Sequence, residues 1–509
     1  MGVIEMIDPA TGERLGELEE TSPEAIERAM VHARKAFRRW GNLPLSERMD
    51  HISRLRRYIV EHADELAATV VKDTGKVHLE ALMTEILLTV DFIKYYEKRA
   101  ASILKPKKVP TPITLIGRRS WVEYRPMGVV AVISPWNYPF QLAMIPAISA
   151  LVVGNAVLIK PSEVSPLTGL LIEKVFRKVG FPEDVVQVIH GGKEVGERLI
   201  QARPDKIFFT GSVASGKKVM AAAAEHLIPV DLELGGKDPM IVFADADLRR
   251  AANAAVWGAF TNAGQTCMAV ERLYVESSVY ETFVQMVKER TEALRLAEEE
   301  SDVGSMTFPR QLDIVEEHLA DAKEKGAKIL CGGRRTGTDG LHFEPTVLVD
   351  VDHSMRIMSE ETFGPVLPIM PFDTEQEAIR LANDTPYGLN SSIWTKNRKK
   401  ARRVAARIEA GNVCINDVMI NMVNPGLPYG GVKWSGIGRY HGPEGLLSFC
   451  HRVSLISHPG RKKREINWYP YSKRQTDAIR YLIRLLYGKG LHLSIKELFN
   501  LAVQFLRRK

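Results

Sequence analysis

The feature that most constrains the fold is a regular alternation, from residue 129 onward, of short apolar runs with stretches of helical periodicity. The apolar runs of the first series lie at residues 129–133, 156–159, 185–189, 206–209 and 230–234. Helix-like stretches of about a dozen residues separate these runs. Such repeated alternation of strand and helix predicts an α/β fold, in which helices cover both faces of a parallel sheet.

A second series of the same kind follows. Strands are predicted at residues 240–242, 272–275, 328–330 and 366–370, and helices at residues 244–258 and 375–382. Residues 23–71 carry Ala, Leu and Ile at helical spacing among Glu and Arg, which predicts long amphipathic helices packed outside the sheet. Because 509 residues are too many for one ordinary core, the second series predicts a second α/β domain.

The cysteines and the charges narrow the setting in which the protein works. The four cysteines are far apart and form no CxxC pair, so neither a disulfide framework nor a zinc site is expected. With no secretory leader and no long apolar run, the expected compartment is the reducing cytoplasm. The net charge of +7 is concentrated in residues 461–509, which carry +10, so the rest of the chain is mildly acidic and no nucleic-acid partner is expected.

Two strand ends have the composition of a nucleotide-binding edge. The loop at residues 209–218 follows an apolar strand and opens a helix, so its backbone N–H groups and the helix dipole could face a phosphate. It matches neither GxGxxG nor Walker A, and an ordinary strand-to-helix turn explains it equally well. Lys160 and Glu163 end another strand at the same expected edge, where they could bind ribose hydroxyls or form a plain surface pair.

Three further residues have the chemistry of thiol catalysis. Cys267 is flanked by small polar residues that could present its thiol to a cavity, although a buried structural cysteine gives the same pattern. Glu233 ends an apolar strand, where loss of water could raise its pKa toward that of a general base, although a solvated strand end is equally compatible. Asn137 lies between two prolines that either aim its amide as an oxyanion donor or simply form a turn. Together with the phosphate-binding turn, these residues supply the set needed for thiol-mediated oxidation with a dinucleotide.

In this order, the segments resemble the motifs of the aldehyde dehydrogenase superfamily over roughly residues 5–457. The motifs are Pro135-Trp-Asn137, Lys160-Pro-Ser-Glu163, Gly211-Ser-x3-Gly216, Glu233-Leu-Gly-Gly, Gly264-Gln-Thr-Cys267 and Glu361-Thr-Phe363-Gly-Pro. The resemblance implies a Rossmann-type cofactor domain in residues 1–111 and 126–234 and a second α/β, catalytic domain in residues 235–425. It also implies a small β-element of oligomerisation strands in residues 112–125 and 440–460. A charge run near residue 461 separates this body from a basic amphipathic tail in residues 461–509.

The resemblance further implies a role for each motif residue. Cys267 is expected to be the nucleophile and Glu233 the base, while the Asn137 side chain and the Cys267 backbone N–H form the oxyanion hole. Lys160 and Glu163 are expected to hold the adenosine ribose of NAD, with NADP also accepted by some members that carry this glutamate. Ser212 is expected to meet the pyrophosphate, and Glu361 with Phe363 the nicotinamide riboside. The full set of expected cofactor contacts is Trp136, Lys160, Ser162, Glu163, Gly211, Ser212, Gly216, Leu234, Gly235, Glu361 and Phe363.

The substrate is expected from the branch that the sequence most resembles. The surroundings of Asn137, residues 222–233 and the run Arg439-Tyr-His-Gly look most like class-three and fatty aldehyde dehydrogenases. That branch implies apolar or long-chain aliphatic aldehydes, with a semialdehyde or an aromatic aldehyde as the alternative. Pro146 stands where many other branches carry a lysine, so no lysine is assigned to catalysis. The presence of Glu233 favours hydrolysis of the thioester over its transfer to CoA, and the intact catalytic set argues against a non-catalytic binding protein on this fold.

The tail and two edge segments suggest partners. Amphipathic helices are predicted at residues 476–487 and 494–506, and the second opens with a capping box. A basic tail of this kind could lie on an anionic membrane surface, cover the substrate funnel, or pack on the body or a neighbouring subunit. Residues 113–125 and 452–457 resemble the family's oligomerisation strands, so a homodimer is the first expectation, with tetramers also known in the family.

Overall fold

The architecture is given by a computed structural model, which describes residues 2–296, 301–336, 340–461, 463–465 and 467–488. The chain divides into a large unit, residues 1–107 and 123–453, and a small unit, residues 108–122 and 454–509. The second predicted tail helix, at residues 494–506, lies outside the described residues.

The strands are β1 (Val3–Ile7), β2 (Arg14–Glu19), β3 (Lys107–Val109), β4 (Arg119–Pro126), β5 (Val129–Ile133), β6 (Ala156–Lys160), β7 (Val186–Val188), β8 (Lys206–Thr210), β9 (Val230–Glu233), β10 (Asp238–Val242), β11 (Val270–Glu276), β12 (Lys328–Cys331), β13 (Arg335–Thr336), β14 (His342–Phe343), β15 (Thr346–Val349), β16 (Val366–Phe372), β17 (Ser392–Trp394), β18 (Cys414–Ile415), β19 (Gly436–Ile437) and β20 (Cys450–Ser457).

The α-helices are α1 (Pro23–Trp40), α2 (Leu45–Glu61), α3 (Ala63–Thr74), α4 (His78–Glu80), α5 (Leu88–Ile103), α6 (Gln141–Val153), α7 (Pro166–Val179), α8 (Lys193–Gln201), α9 (Val213–Ala224), α10 (Leu248–Phe260), α11 (Tyr280–Glu292), α12 (Pro309–Glu324), α13 (Arg356–Ser359), α14 (Glu375–Asn383), α15 (Arg398–Ala405), α16 (Gly442–Leu447) and α17 (Lys473–Tyr487). A π-helix at Ala81–Leu87 joins α4 to α5.

The first sheet contains the five strands of the first predicted series. Its order is β19–β9–β8–β5–β6–β7, and every neighbouring pair is parallel except β19 with β9. Successive residues of β5 pack into two separate apolar cores, Val130 and Val132 into one, Val129 and Ala131 into the other. Both faces of this sheet are therefore buried under helices, which confirms the predicted α/β fold.

The second sheet belongs to the second series. Its order is β12–β15–β16–β11–β10–β17–β18, and only β12 runs antiparallel to its neighbour. The four strands predicted from the sequence are all present as β10, β11, β12 and β16. The sequence reading missed β15, β17 and β18, because strands of two to four residues are too short for a periodic pattern.

A third sheet, of order β20–β4–β3, contains the segments expected to serve oligomerisation. The expectation of a strand over residues 113–118 is wrong: Ile113–Leu115 form a 3-10 helix and Gly117 has φ +86°, so β4 begins only at Arg119. The expectation of strand from residue 440 is also wrong, because α16 precedes β20. Gly442 has φ +63°, and Pro443 suits the first turn of that helix.

Helix α17 confirms the predicted tail helix at residues 476–487. It begins where the Ser472 hydroxyl accepts a hydrogen bond from the Gln475 N–H, at 3.3 Å. Its apolar side chains are exposed or only half-buried. Among the helices that the structure describes, none is long and apolar enough to cross a membrane.

Candidate active site

Cys267 lies just before β11, after a tight turn that follows α10. Asn262 and Ala263 both have φ +53°, and Gly264 has φ +73°. A side chain on Gly264 would collide with the Gly364 carbonyl, so glycine is needed there for the Cys267 segment to pack on the segment after Phe363. The Cys267 side chain is half-buried and forms no disulfide bond. Burial and the nearby carboxyl groups of Glu361, Asp238 and Glu233 raise the pKa of its thiol.

Glu233 ends β9 and is buried. Within the described part of the chain, neither of its carboxyl oxygens has a hydrogen-bond partner. Burial, followed by the negative charge of Asp231, raises the pKa of Glu233 well above its usual value, while Arg439 acts in the opposite direction. A methyl carbon on Gly430 would lie 2.9 Å from Glu233 Oε1, so the missing side chain leaves room for the carboxyl group. The buried, unpaired state of Glu233 is the environment that poises a carboxyl group as a base.

Asn137 follows β5 and lies against the Cys267 segment. Its Nδ2 donates to the Gln265 carbonyl oxygen at 3.0 Å, and its own carbonyl oxygen accepts from Asn262 Nδ2 at 3.0 Å. The side chain is buried. Because an amide nitrogen has two hydrogens, one donor of Asn137 is still available beside the thiol-bearing loop.

A buried ion pair, which the sequence analysis missed, supports the Asn137 loop. Lys76 Nζ lies 2.6 Å from Glu85 Oε1 and donates to the Asn137 carbonyl oxygen at 2.9 Å, and both charged side chains are inaccessible to solvent. Glu85 Oε2 accepts from the N–H groups of Phe140 and Gln141 at 3.1 and 2.8 Å. Glu85 lies in the π-helix, where residue spacing differs from that of an α-helix, so periodicity gave no signal for it.

The residues expected at the adenosine end lie at the carboxyl end of β6. Lys160 Nζ and Glu163 Oε2 form an ion pair at 2.9 Å, with Lys160 buried and Glu163 exposed. Ser162 is buried, and its hydroxyl accepts from the Val164 N–H. Parallel strands place these side chains at the edge of the sheet where ligands bind in open α/β folds.

The expected phosphate turn contains the first residues of α9. The Ser212 hydroxyl caps α9 by accepting from the Ser215 N–H at 3.2 Å. Ser212 is exposed to solvent. A side chain on Gly216 would collide with Leu234, which places that glycine at the contact between helix and sheet. The Gly211 N–H donates to the Glu233 carbonyl oxygen at 3.0 Å, so this turn and the end of β9 are joined directly.

The residues expected at the nicotinamide end converge beside Cys267. The Gly236 N–H donates to Glu361 Oε1 at 3.0 Å, and a side chain on Gly235 would collide with the Glu361 carboxyl group. Burial and the charge of Glu271 raise the pKa of Glu361 to about 8. The Phe363 ring meets the Trp136 ring edge-on, at 5.5 Å between centroids. A thiol, a buried carboxyl group, an amide donor and this aromatic pair thus form a single site.

Comparisons with known proteins bear on this site. The sequence model of the aldehyde dehydrogenase family matches residues 2–454. A relative from Methylomonas sp, named 4,4'-diapolycopene aldehyde oxidase, is 45% identical over 491 residues, covering 96% of this chain and 92% of the relative. A relative from Mycobacterium ulcerans, named for succinate semialdehyde and NADP(+), is 37% identical over 452 residues, covering 88% of this chain and 87% of the relative.

A solved structure of the same family has a similar fold. The NAD+ complex of an aldehyde dehydrogenase from Bacillus cereus is 35% identical, with a TM-score of 0.86, and the match covers 90% of this chain and 94% of that one. None of these proteins is named as a class-three or fatty aldehyde dehydrogenase, so the branch expected from the sequence stays a prediction.

Proposed function

The chain belongs to the aldehyde dehydrogenase family and is an NAD(P)-dependent aldehyde oxidoreductase; on that premise we propose that it converts an apolar aldehyde to the carboxylic acid through a thioester on Cys267. The observation that carries this proposal is the buried, unpaired carboxyl group of Glu233, which shares a site with the Cys267 thiol and the Asn137 amide. The chemistry of a thioester route needs all three groups.

The described residues fit a dinucleotide along the carboxyl ends of the first sheet. Two buried hydroxyls there, of Thr210 at the end of β8 and Ser134 after β5, have no hydrogen-bond partner among the described residues. We assign the adenosine ribose to Lys160 and Glu163. The pyrophosphate is assigned to Ser212, and the nicotinamide riboside to Glu361 and Phe363. Bound NAD(P) supplies the hydride acceptor for the oxidation step.

In the first half of the reaction, the Cys267 sulfur forms a bond to the aldehyde carbon. The thiol proton passes to solvent water, and the carbonyl oxygen becomes an alkoxide held by the Asn137 amide and the Cys267 N–H. Collapse of the alkoxide expels hydride from the same carbon, which leaves a thioester on Cys267.

In the second half, water attacks the thioester carbon. Glu233 takes a proton from that water, the carbon–sulfur bond breaks, and the departing sulfur takes a proton from the Glu233 carboxyl group, which returns Glu233 to its carboxylate form. Because burial keeps the Glu233 pKa high, its carboxylate is a strong enough base for this transfer once formed.

The catalytic assignments are tested by two substitutions. Asn137→Ala should lower turnover by about a hundredfold to a thousandfold, since one oxyanion donor is lost. Cys267→Ala should abolish reduced-cofactor formation. Unchanged turnover in Asn137→Ala would show that another group holds the oxyanion.

Two observations support an apolar substrate. The match to the relative named 4,4'-diapolycopene aldehyde oxidase spans 491 residues. This match is longer than the region of residues 2–454 that the family model covers, so the similarity extends into the basic tail. On the large unit, Leu79, Met83 and Leu87 are 63%, 49% and 54% exposed and follow one another at intervals of four residues. They belong to the same helical segment as Glu85, which holds the Asn137 loop, so an apolar surface lies close to the site.

A series of straight-chain aldehydes with NAD, and separately with NADP, tests this substrate class. We expect kcat/KM to rise with chain length, because each buried methylene contributes about 0.8 kcal/mol. The name of the Mycobacterium ulcerans relative supports the alternative of a semialdehyde. A preference for short or charged aldehydes would favour that alternative and leave the thioester route intact.

We propose that the tail contacts an anionic membrane surface and keeps the enzyme peripheral to it in the cytoplasm. Helix α17 exposes Ile479, Ile483 and Tyr487 along one line, and Lys473, Arg474, Arg480 and Arg484 outnumber Asp477. Trp468, Tyr469 and Tyr471, just before the helix, are more than half exposed, and such aromatic residues favour membrane interfaces.

Sedimentation with anionic vesicles should carry down the full chain but not a chain truncated after Gly460. Ile479→Ser with Ile483→Ser keeps every charge and should also weaken binding. Equal sedimentation of the full and truncated chains would remove the membrane proposal.

We further propose that the third sheet pairs with its copy to form a homodimer, since β3 and β20 are its edge strands among the described residues. Light scattering after gel filtration tests this state, and a monomer would contradict it.

A further inference from the structure

A second buried ion pair lies near the nicotinamide end of the site, and the mechanism above does not use it. Lys237 Nζ lies 2.5 Å from Glu271 Oε2, and the two side chains are 0% and 5% exposed. Glu271 is in β11, four residues after Cys267. Apolar residues of similar volume often stabilise a protein at least as well as a buried charge pair, so the presence of this pair is weak evidence for a role in stability.

Both carboxyl oxygens of Glu271 bind the segment that carries Glu361 and Phe363. Oε2 accepts from the Thr362 N–H at 2.8 Å, and Oε1 accepts from the Phe363 N–H at 3.0 Å. Lys237 Nζ also donates to the Thr362 hydroxyl at 3.1 Å. The two consecutive peptide groups of this segment are therefore fixed by a single carboxylate.

The conformation that Glu271 holds is a strained one. Phe363 has φ +52°, in the left-handed region that a bulky residue rarely adopts. Such a residue persists only where its surroundings determine its conformation. The result of this backbone turn is the edge-on contact of the Phe363 ring with Trp136.

Glu361, on the other side of Thr362, is positioned through the same pair. Lys237 directly follows Gly236, whose N–H donates to Glu361 Oε1. The Lys237 carbonyl oxygen accepts from Arg272 Nε at 2.8 Å. Arg272, which directly follows Glu271, therefore also fixes the Gly236 segment. The Glu271 pair thus joins the strand after the nucleophile to both side chains expected at the nicotinamide riboside.

We propose that Glu271, backed by Lys237, is a positioning residue that holds Glu361 and Phe363 in the conformation that receives the nicotinamide riboside, and takes no part in the thiol chemistry. The inference rests on the proposed roles of Glu361 and Phe363. It predicts that loss of the Glu271 charge slows hydride transfer selectively.

Three measurements on the full chain separate these functions. Single-turnover formation of reduced cofactor reports hydride transfer, and the dissociation constant of ADP, which lacks the second ribose, reports the adenosine end. Cofactor-free hydrolysis of p-nitrophenyl acetate reports the Cys267 thiol. In Glu271→Gln, one of the two carboxyl acceptors becomes an amide donor. We expect hydride transfer to fall on the order of tenfold to a hundredfold, as for loss of a charged hydrogen bond. The other two values should stay within about twofold of wild type.

Asp73→Asn is the matched control. Asp73 is likewise buried and accepts from two consecutive backbone N–H groups, those of Leu167 and Thr168, at the start of α7. This variant should keep the wild-type rate of hydride transfer. An equal loss in both variants would show that Glu271→Gln acts by general destabilisation and would overturn the inference, as would a parallel fall of all three values in Glu271→Gln.

Phe363→Ala distinguishes failure of the inference from failure of the proposed function. If Phe363→Ala slows hydride transfer and Glu271→Gln does not, the positioning role is wrong while the cofactor assignment stands. If Phe363→Ala transfers hydride at the wild-type rate, the assignment of Phe363 is wrong, and the positioning role fails with it.

Discussion

Replacing Lys76 with methionine removes an ammonium group from a site that solvent does not reach. Methionine has a similar length, so the change is chiefly one of charge. Glu85 then stays buried, with the N–H groups of Phe140 and Gln141 as its remaining donors. The Asn137 carbonyl oxygen keeps the donor of Asn262.

The magnitude follows from which groups are left without a partner. Removing one partner of a buried ion pair destabilises a protein by about 3 to 5 kcal/mol. Because two backbone donors still satisfy one oxygen of Glu85, we expect a loss near the lower limit, about 3 kcal/mol. Removing the second charge with Glu85→Gln should recover about half of that loss or more, since no unpaired buried charge then remains.

Urea unfolding of the wild type, Lys76→Met, Glu85→Gln and the double variant measures the coupling directly. We expect Lys76→Met to be less stable than the double variant. If the Lys76→Met free energy of unfolding lies within about 1 kcal/mol of wild type, or if the two losses simply add, the claim that the pair is buried and interdependent is refuted.

Three further predictions concern the site. Burial and the charge of Glu271 raise the pKa of Glu361 to about 8, so the carboxylate that we propose as the acceptor of the ribose hydroxyls forms as pH rises. Calorimetry should therefore show tighter NAD+ binding from about pH 7 to 9 in wild type and constant affinity in Glu361→Gln. In Gly430→Ala the added carbon would lie 2.9 Å from Glu233 Oε1 and would displace the carboxyl group. Stopped-flow should therefore show a normal first turnover of reduced cofactor, followed by acid release slowed by about tenfold or more. An unchanged steady-state rate would argue against Glu233 as the base. Because burial and the nearby carboxyl groups raise the thiol pKa, alkylation of Cys267 by iodoacetamide without cofactor should still accelerate beyond about pH 9, and a plateau below about pH 8 would contradict this environment.

The sheets were predictable because buried parallel strands are continuous apolar runs. Each residue of β5, β6 and β8 is buried, so hydrophobicity alone located them. The β1–β2 hairpin has no such run, since most of its residues are exposed or half-buried, and it was missed. The strand assigned before Arg119 failed because a 3-10 helix also accommodates alternating Ile and Leu.

The site was predictable where its residues belong to short contiguous motifs. Cys267, Glu233 and Asn137 were singled out from their flanking glycines and prolines together with a family resemblance, and the structure brings these three residues into one site, where their catalytic roles stay a prediction. Lys76 and Glu85 were missed because their contacts to the Asn137 loop join positions about sixty residues apart in sequence, and local spacing contains no record of such contacts. Glu271 was missed for a related reason: in the sequence it is one of two adjacent charged residues near the start of β11, and its role appears only when Thr362 and Phe363 lie beside it.

The most direct test of the thioester route is intact-protein and peptide mass spectrometry of Glu233→Gln after mixing with NAD+ and a straight-chain aldehyde. The account predicts about one equivalent of reduced cofactor per active site and an acyl group on the Cys267 peptide, because thioester formation proceeds and hydrolysis stalls. Steady turnover without any acyl group on Cys267 would contradict it.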